Sequence, residues 1–314
     1  MARLLIASLL MSSALLAACG SAPPPVPATE ANTRNFMAEA MVAYNDNRYV
    51  EARSFFGRAY MQYHSVDDLQ GQAHALIDLA DSALLQGDVA AARVNLTDAH
   101  AVVDSQASLA TLKSRLVLMD AYADLQSGDP AGAATRLDGL LAGTGVPADV
   151  QRAALFARTQ AAFDAKATDA GLWLTKLGKP TADALDAARL ERLQALAEPD
   201  ATKAAALYTD ALQRYQNAYY RPGIAATHEE WGARLLAQQD WSNARDHLQR
   251  ALYVRLWMYD ASRSAHILDE LATADTALGD ATSAKQDAQW AAYLKDGGDP
   301  SKSPVSPAPV GNPG

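Results

Sequence analysis

The chain has 314 residues, 49% hydrophobic but only 7% aromatic, with a formal charge of −9 and a single cysteine. One cysteine excludes an internal disulfide and a cysteine-rich zinc site, and a pI near 5.1 offers no general basic field to attract nucleic acid. About a fifth of the residues are alanine, the residue that costs least in a helix, so an all-α chain is expected.

Residues 1–18 carry one positive charge at Arg3, an apolar run from Leu4 and small residues leading into Cys19. This is a secretory signal, too short to span a bilayer. Leu16-Ala17-Ala18-Cys19 resembles the lipobox of bacterial lipoproteins. That resemblance implies cleavage before Cys19, lipid attachment on its sulfur and a further acyl chain on its amine, enough for stable anchoring. It also implies an address: Gly20 stands where an aspartate would favour the inner membrane, so the outer membrane, facing the periplasm, is expected. Contact with the membrane is through the N-terminal lipid only, because an acidic body is not drawn to anionic lipid. Residues 19–34, rich in Pro, Ala and small polar residues, read as a flexible tether.

From residue 35 to 295 apolar residues recur at helical spacing between short turn signals, with no period-two strand. In the first segment Ala40 precedes Ala52 by twelve residues, and Tyr49, Phe56 and Ala59 follow in a set frame. Near the other end Gly232, Ala244, Trp241, Leu248 and Ala251 fall into the same frame. The second-helix alanines Ala52, Ala92, Ala133, Ala170, Ala204, Ala244 and Ala284 are spaced by 40, 41, 37, 34, 40 and 40 residues. These segments resemble tetratricopeptide repeats, in which a small residue sits on each of two antiparallel helices where they cross. The resemblance implies an α-solenoid of about seven helix-turn-helix repeats with a concave, partner-binding wall. Intervals near 40 imply second helices longer than usual. Residues 145–200 depart from the pattern, since Arg158 and Arg192 occupy the small position, and a differently packed helical pair is expected there. Residues 296–314, rich in Pro, Gly and Ser, read as a disordered tail.

In the resembled family the groove residues lie at fixed offsets on the first helices. Carried onto this chain, they include Met37, Met41, Tyr44, Ile77, Leu84, Leu118 and Tyr122, an apolar set suited to a hydrophobic helix or an extended peptide. Packing on neighbouring helices is the alternative role for several of them. Tyr219 and Tyr220, before Arg221-Pro222-Gly223, together with Trp257 and Tyr259, are further candidates for a partner hot spot. Tyr208, Trp231 and Trp241 sit on repeat core positions.

Chemistry is not written into the chain. No two of the six histidines are spaced i, i+4, and no GxSxG, HExxH or phosphate loop occurs. His228-Glu229-Glu230 reads as a solvated helix face. No metal, cofactor or small-molecule substrate is inferred. The sequence therefore points to a non-catalytic adaptor for envelope proteins. A permanent structural or self-associating subunit of an envelope assembly is the alternative, followed by an enzyme with a site in residues 145–200.

Overall fold

The computed structural model describes residues 28–304, with side chains from residue 35. The leader, Cys19 and the start of the tether lie outside the described residues, as do residues 305–314 of the tail. The helices are α1 (Ala28–Asn45), α2 (Tyr49–Ser65), α3 (Leu69–Leu85), α4 (Val89–Ser105), α5 (Lys113–Gln126), α6 (Pro130–Ala142) and α7 (Ala148–Asp164). They continue with α8 (Ala170–Leu177), α9 (Ala184–Ala197), α10 (Ala201–Asn217), α11 (Arg221–Ala237), α12 (Trp241–Trp257), α13 (Ala261–Leu278) and α14 (Ala281–Lys295). No strand occurs among the described residues. The first helix begins at Ala28, inside the stretch expected to be tether.

Helix starts are set by aspartate. Asp68, Asp88, Asp129, Asp200, Asp240, Asp260 and Asp280 each accept a hydrogen bond from the backbone N–H three residues on, satisfying a donor that the helix itself cannot. Before many of them the chain reverses through one residue in the left-handed region. Asn47, Gly87, Gly128, Gln239 and Gly279 take this role inside repeats, and Asp67, Tyr219 and Tyr259 take it between repeats.

The periodic alanines explain the packing. Ala40, Ala52, Ala80, Ala92, Ala121, Ala133 and Ala244 are all fully buried, and a Cβ added at Gly232 would lie 2.7 Å from Leu248 Cγ. Paired helices approach this closely only through small side chains. Phe56, Leu96, Leu137, Tyr208 and Leu248 then fill the space beside each crossing. Each helix packs on its neighbours in sequence, and the first helices α3, α5, α7, α9, α11 and α13 also touch in succession. The result is an α-solenoid whose inner wall is built from first helices. The second helices α4 and α12 run to 17 residues, the same length as the first helices α3 and α11, so the long repeat interval is shared by both helices of a repeat and not by a lengthened second one.

The irregular middle is a shortened repeat. Its second helix, α8, has only eight residues. Arg152 of α7 takes over the missing contact by gripping Asp186 of α9 with two hydrogen bonds of 2.7 and 2.8 Å and capping the carbonyl of Leu177. Arg158 turns outward to Asp138 at 2.8 Å and lies over the Trp173 ring at 4.2 Å.

Candidate interaction surface

The inner wall is less apolar than the sequence predicts. Ile77, Leu84 and Leu118 belong to the core that joins α2 to α7 and are buried, so they pack on neighbouring helices. Met37 is half-buried against Phe56 and its neighbours, while Met41 is 43% exposed. Tyr44 and Tyr122 do reach the interior. The Tyr44 hydroxyl donates to Asp81 Oδ2 at 2.7 Å, and Tyr122 shares its surroundings with Asp81, Arg189 and Tyr220. Burial pushes the Tyr122 hydroxyl up to about 12. Side chains of α1, α3, α5, α9 and the α10–α11 turn thus converge on the inner side of the stack.

A second interior cluster was not legible as such. Glu229 is buried, not solvated, and receives Arg255 and Arg263 at 3.0 Å each. Burial alone would raise its carboxyl, but the two guanidinium groups overcome that and hold it below the ordinary range. Glu230 pairs with Arg192, yet burial carries its carboxyl up to about 7, with Asp164 and Glu229 adding to the effect. Its Oε2 has no hydrogen-bond partner, and neither does Oε2 of Glu270.

A signal for these pairs existed in the spacing. Tyr44 and Asp81 are 37 residues apart, Asp78 and Arg115 37, Arg192 and Glu230 38, Glu229 and Arg263 34, and Arg152 and Asp186 34. Polar partners one repeat apart meet because successive first helices lie side by side.

The superhelix also comes back to touch itself. Asn47, buried in the α1–α2 turn, donates through Nδ2 to the carbonyl of Tyr219 at 3.0 Å, across 172 residues. Its Oδ1 accepts from the Arg221 N–H at 3.3 Å and from the Tyr49 hydroxyl at 3.0 Å. The Arg221 guanidinium reaches the Asp46 carbonyl at 3.1 Å and rests 3.5 Å above the Trp257 ring. One repeat further on, the α3–α4 turn meets the α12–α13 turn so closely that a Cβ at Gly87 would lie 2.2 Å from Asp260 Oδ1. The two contacts share one register, since Gly87 and Asp260 are separated by the same stretch of chain as Asn47 and Arg221, to within a residue.

Exposed apolar side chains gather near this seam. Tyr219 is 82% exposed, and Val50, Trp257 and Tyr259 are also exposed. Val50 and Tyr259 line opposite sides of an open groove of about 1370 Å³, with Arg53, His266, Leu294 and Pro300. Tyr220 turns inward, half-buried against Tyr215 at 5.7 Å between ring centres. Tyr208 and Trp231 stack at 5.3 Å, as their core positions require.

His228 and His247 meet across α11 and α12 with their Nδ1 atoms 2.9 Å apart. Burial, then the neighbouring ring, lowers His228 to about 3, and burial also lowers His247. Two neutral imidazoles therefore share one hydrogen bond. Among the described residues no group of three or more His, Cys, Asp or Glu side chains is placed to hold a metal ion. No described helix is long and apolar enough to cross a membrane.

No family model matches the chain, and no curated protein matches it. Among solved structures the chain is similar to BtubC (BKLC) from P. vanneervenii, at 15% identity and a TM-score of 0.32 over 92% of this chain and 98% of that one. It is also similar to the TPR2AB domain of yeast Sti1 in complex with pHSP90, at 16% identity and a TM-score of 0.34 over 85% and 99% of the two chains. The all-α solenoid rests on the order and packing of this chain's own helices.

Proposed function

We propose that the protein is a lipid-anchored adaptor of the bacterial outer membrane, facing the periplasm, that holds other envelope proteins and catalyses nothing. The anchoring rests on the lipobox-like Leu16-Ala17-Ala18-Cys19 and the residue that follows it. The binding role rests on the solenoid, an architecture that offers extended surface. The single observation that carries it is the solvent-facing aromatic group Tyr219, Trp257 and Tyr259, with Arg221 stacked on Trp257. Aromatic and arginine side chains dominate the energetics of protein interfaces.

The test is capture from detergent-solubilised envelope with Cys19 intact, comparing the natural chain with Tyr219→Ala/Trp257→Ala. The expected result is a defined set of envelope proteins retained by the first and lost from the second. Recovery of the bait alone, or identical sets from both, would overturn the reading. Cys19→Ser is expected to release the protein from the membrane fraction or to block its maturation, and unchanged fractionation removes the anchor.

A further inference from the structure

We propose that the seam is a latch: the turn contacts of Asn47 with Tyr219 and Arg221, and of Arg221 with Asp46, hold the superhelix closed over its inner wall. When they separate, the wall bearing Tyr44, Asp81, Tyr122 and Arg189 opens to a partner. This rests on the adaptor reading for its purpose, but the latch itself is a property of the chain alone.

The seam differs in kind from every other interface in the solenoid. Successive helices are joined by buried alanine, leucine and aromatic side chains that leave water together. Across the seam the contacts are hydrogen bonds between turns and the close packing of Gly87 on Asp260, and among the described residues none of the apolar core clusters crosses it. Parting the turns trades these hydrogen bonds for bonds to water, whereas parting a helix pair exposes apolar side chains, so the seam is the interface whose opening bares no apolar core cluster.

The latch residues are matched to the task. Asn47 and Tyr219 hold positive φ, 61° and 51°, as the residues of most other turns do; what sets them apart is the bond of the Asn47 carboxamide to the Tyr219 carbonyl. Arg221 is shared between the latch and the exposed Trp257 face. A partner that claims Arg221 or Trp257 therefore competes with closure.

Two readouts test this on the full chain in a Cys19→Ser background. Asn47→Gly keeps the left-handed backbone without strain and removes the carboxamide; Arg221→Ala removes the second contact. With Tyr122→Cys as an inner-wall reporter, the rate of modification by an uncharged maleimide is expected to rise at least tenfold when both latch substitutions are present. Independently, spin labels at Ser54→Cys and Ser262→Cys, exposed on opposite sides of the groove, are expected to show one short distance in the parent and an added longer one in the latch variant. The second readout leaves the inner wall intact, so it stands even if Tyr122→Cys does not fold. An unchanged distance distribution in the latch variant would overturn the proposal. Neither readout needs a partner, so failure of the adaptor reading in capture experiments is distinguishable from failure of the latch.

Discussion

Asn47 donates its carboxamide to the backbone carbonyl of Tyr219 at 3.0 Å, joining two turns that lie 172 residues apart in the chain. This bond marks where one turn of the superhelix meets the next. It makes the solenoid a closed object, and it makes the glycines along the same edge sensitive reporters of that closure.

Gly87 and Gly128 occupy equivalent turns, at φ 69° and 76°, but only Gly87 faces the seam. Alanine at either position suffers the left-handed penalty of about 1–2 kcal/mol. Gly87→Ala must in addition displace Asp260, whereas a Cβ at Gly128 meets nothing within 4 Å. Urea denaturation should therefore show Gly87→Ala losing at least about 1 kcal/mol more than Gly128→Ala, within the range for overpacking. Equal losses would mean that the two turns are apart in solution.

The crossing rule makes a second pair of glycines diverge. Gly232→Ala places a methyl 2.7 Å from Leu248 Cγ and should cost about 1–3 kcal/mol. Gly57→Ala, inside α2 with nothing within 4 Å, should gain about 0.5–1 kcal/mol by restricting the unfolded chain. Thermal melts of the two variants against the parent give the sign directly.

Arg152 makes up for the shortness of the outer helix in repeat four. Arg152→Ala leaves Asp186, which is buried, without the guanidinium that holds its carboxyl below the usual range. A loss of about 3 kcal/mol is expected. Arg152→Lys should recover little of it, because a lysine cannot reproduce the two-pronged grip. Full recovery by lysine would show that charge alone matters there.

Several carboxyl groups set the pH response. Burial, then the charge of Asp275, pushes Asp287 up to about 7, and burial brings Glu230 and Glu270 to about 7 as well. The folded chain keeps protons that the unfolded chain releases from about pH 4. These groups therefore favour the fold at low pH; their contribution falls as pH rises to about 7 and is level above that. Asp287→Asn should raise the melting temperature by about 2–4 °C at pH 8, the response of a domain this size to about 1 kcal/mol, the share left after solvent screening of a group that is not fully buried. At pH 4 the two proteins should melt together. A gain of the same size at both pH values would remove the titration of Asp287 as its cause.

Much of this was readable before any coordinates. The alanines at intervals near 40 located the helix crossings outside residues 145–200, because close approach needs a small side chain wherever it occurs. The aspartates at the helix starts obey an equally local rule, though the structure and not the sequence singled them out. The departure at residues 145–200 was also visible, in Arg158 and Arg192 at positions that elsewhere are small. The seam was not readable, since nothing in the identity of Asn47 or Tyr219 says how far the stack curves. Nor was the burial of Glu229, which on its own helix resembles a solvated acid until Arg255 and Arg263 arrive from two other helices.

The sequence by itself determined the repeating unit: which segments are helices, where pairs cross and which side chains fill the crossings, all consequences of contacts within a repeat or between adjacent ones. The tertiary structure decided what the inner wall is. Small rotations between successive repeats accumulate over the stack, and their sum, not any single repeat, brought the turn of Asn47 onto that of Tyr219 and made of an expected apolar groove an inner wall that carries tyrosine, arginine and carboxylate.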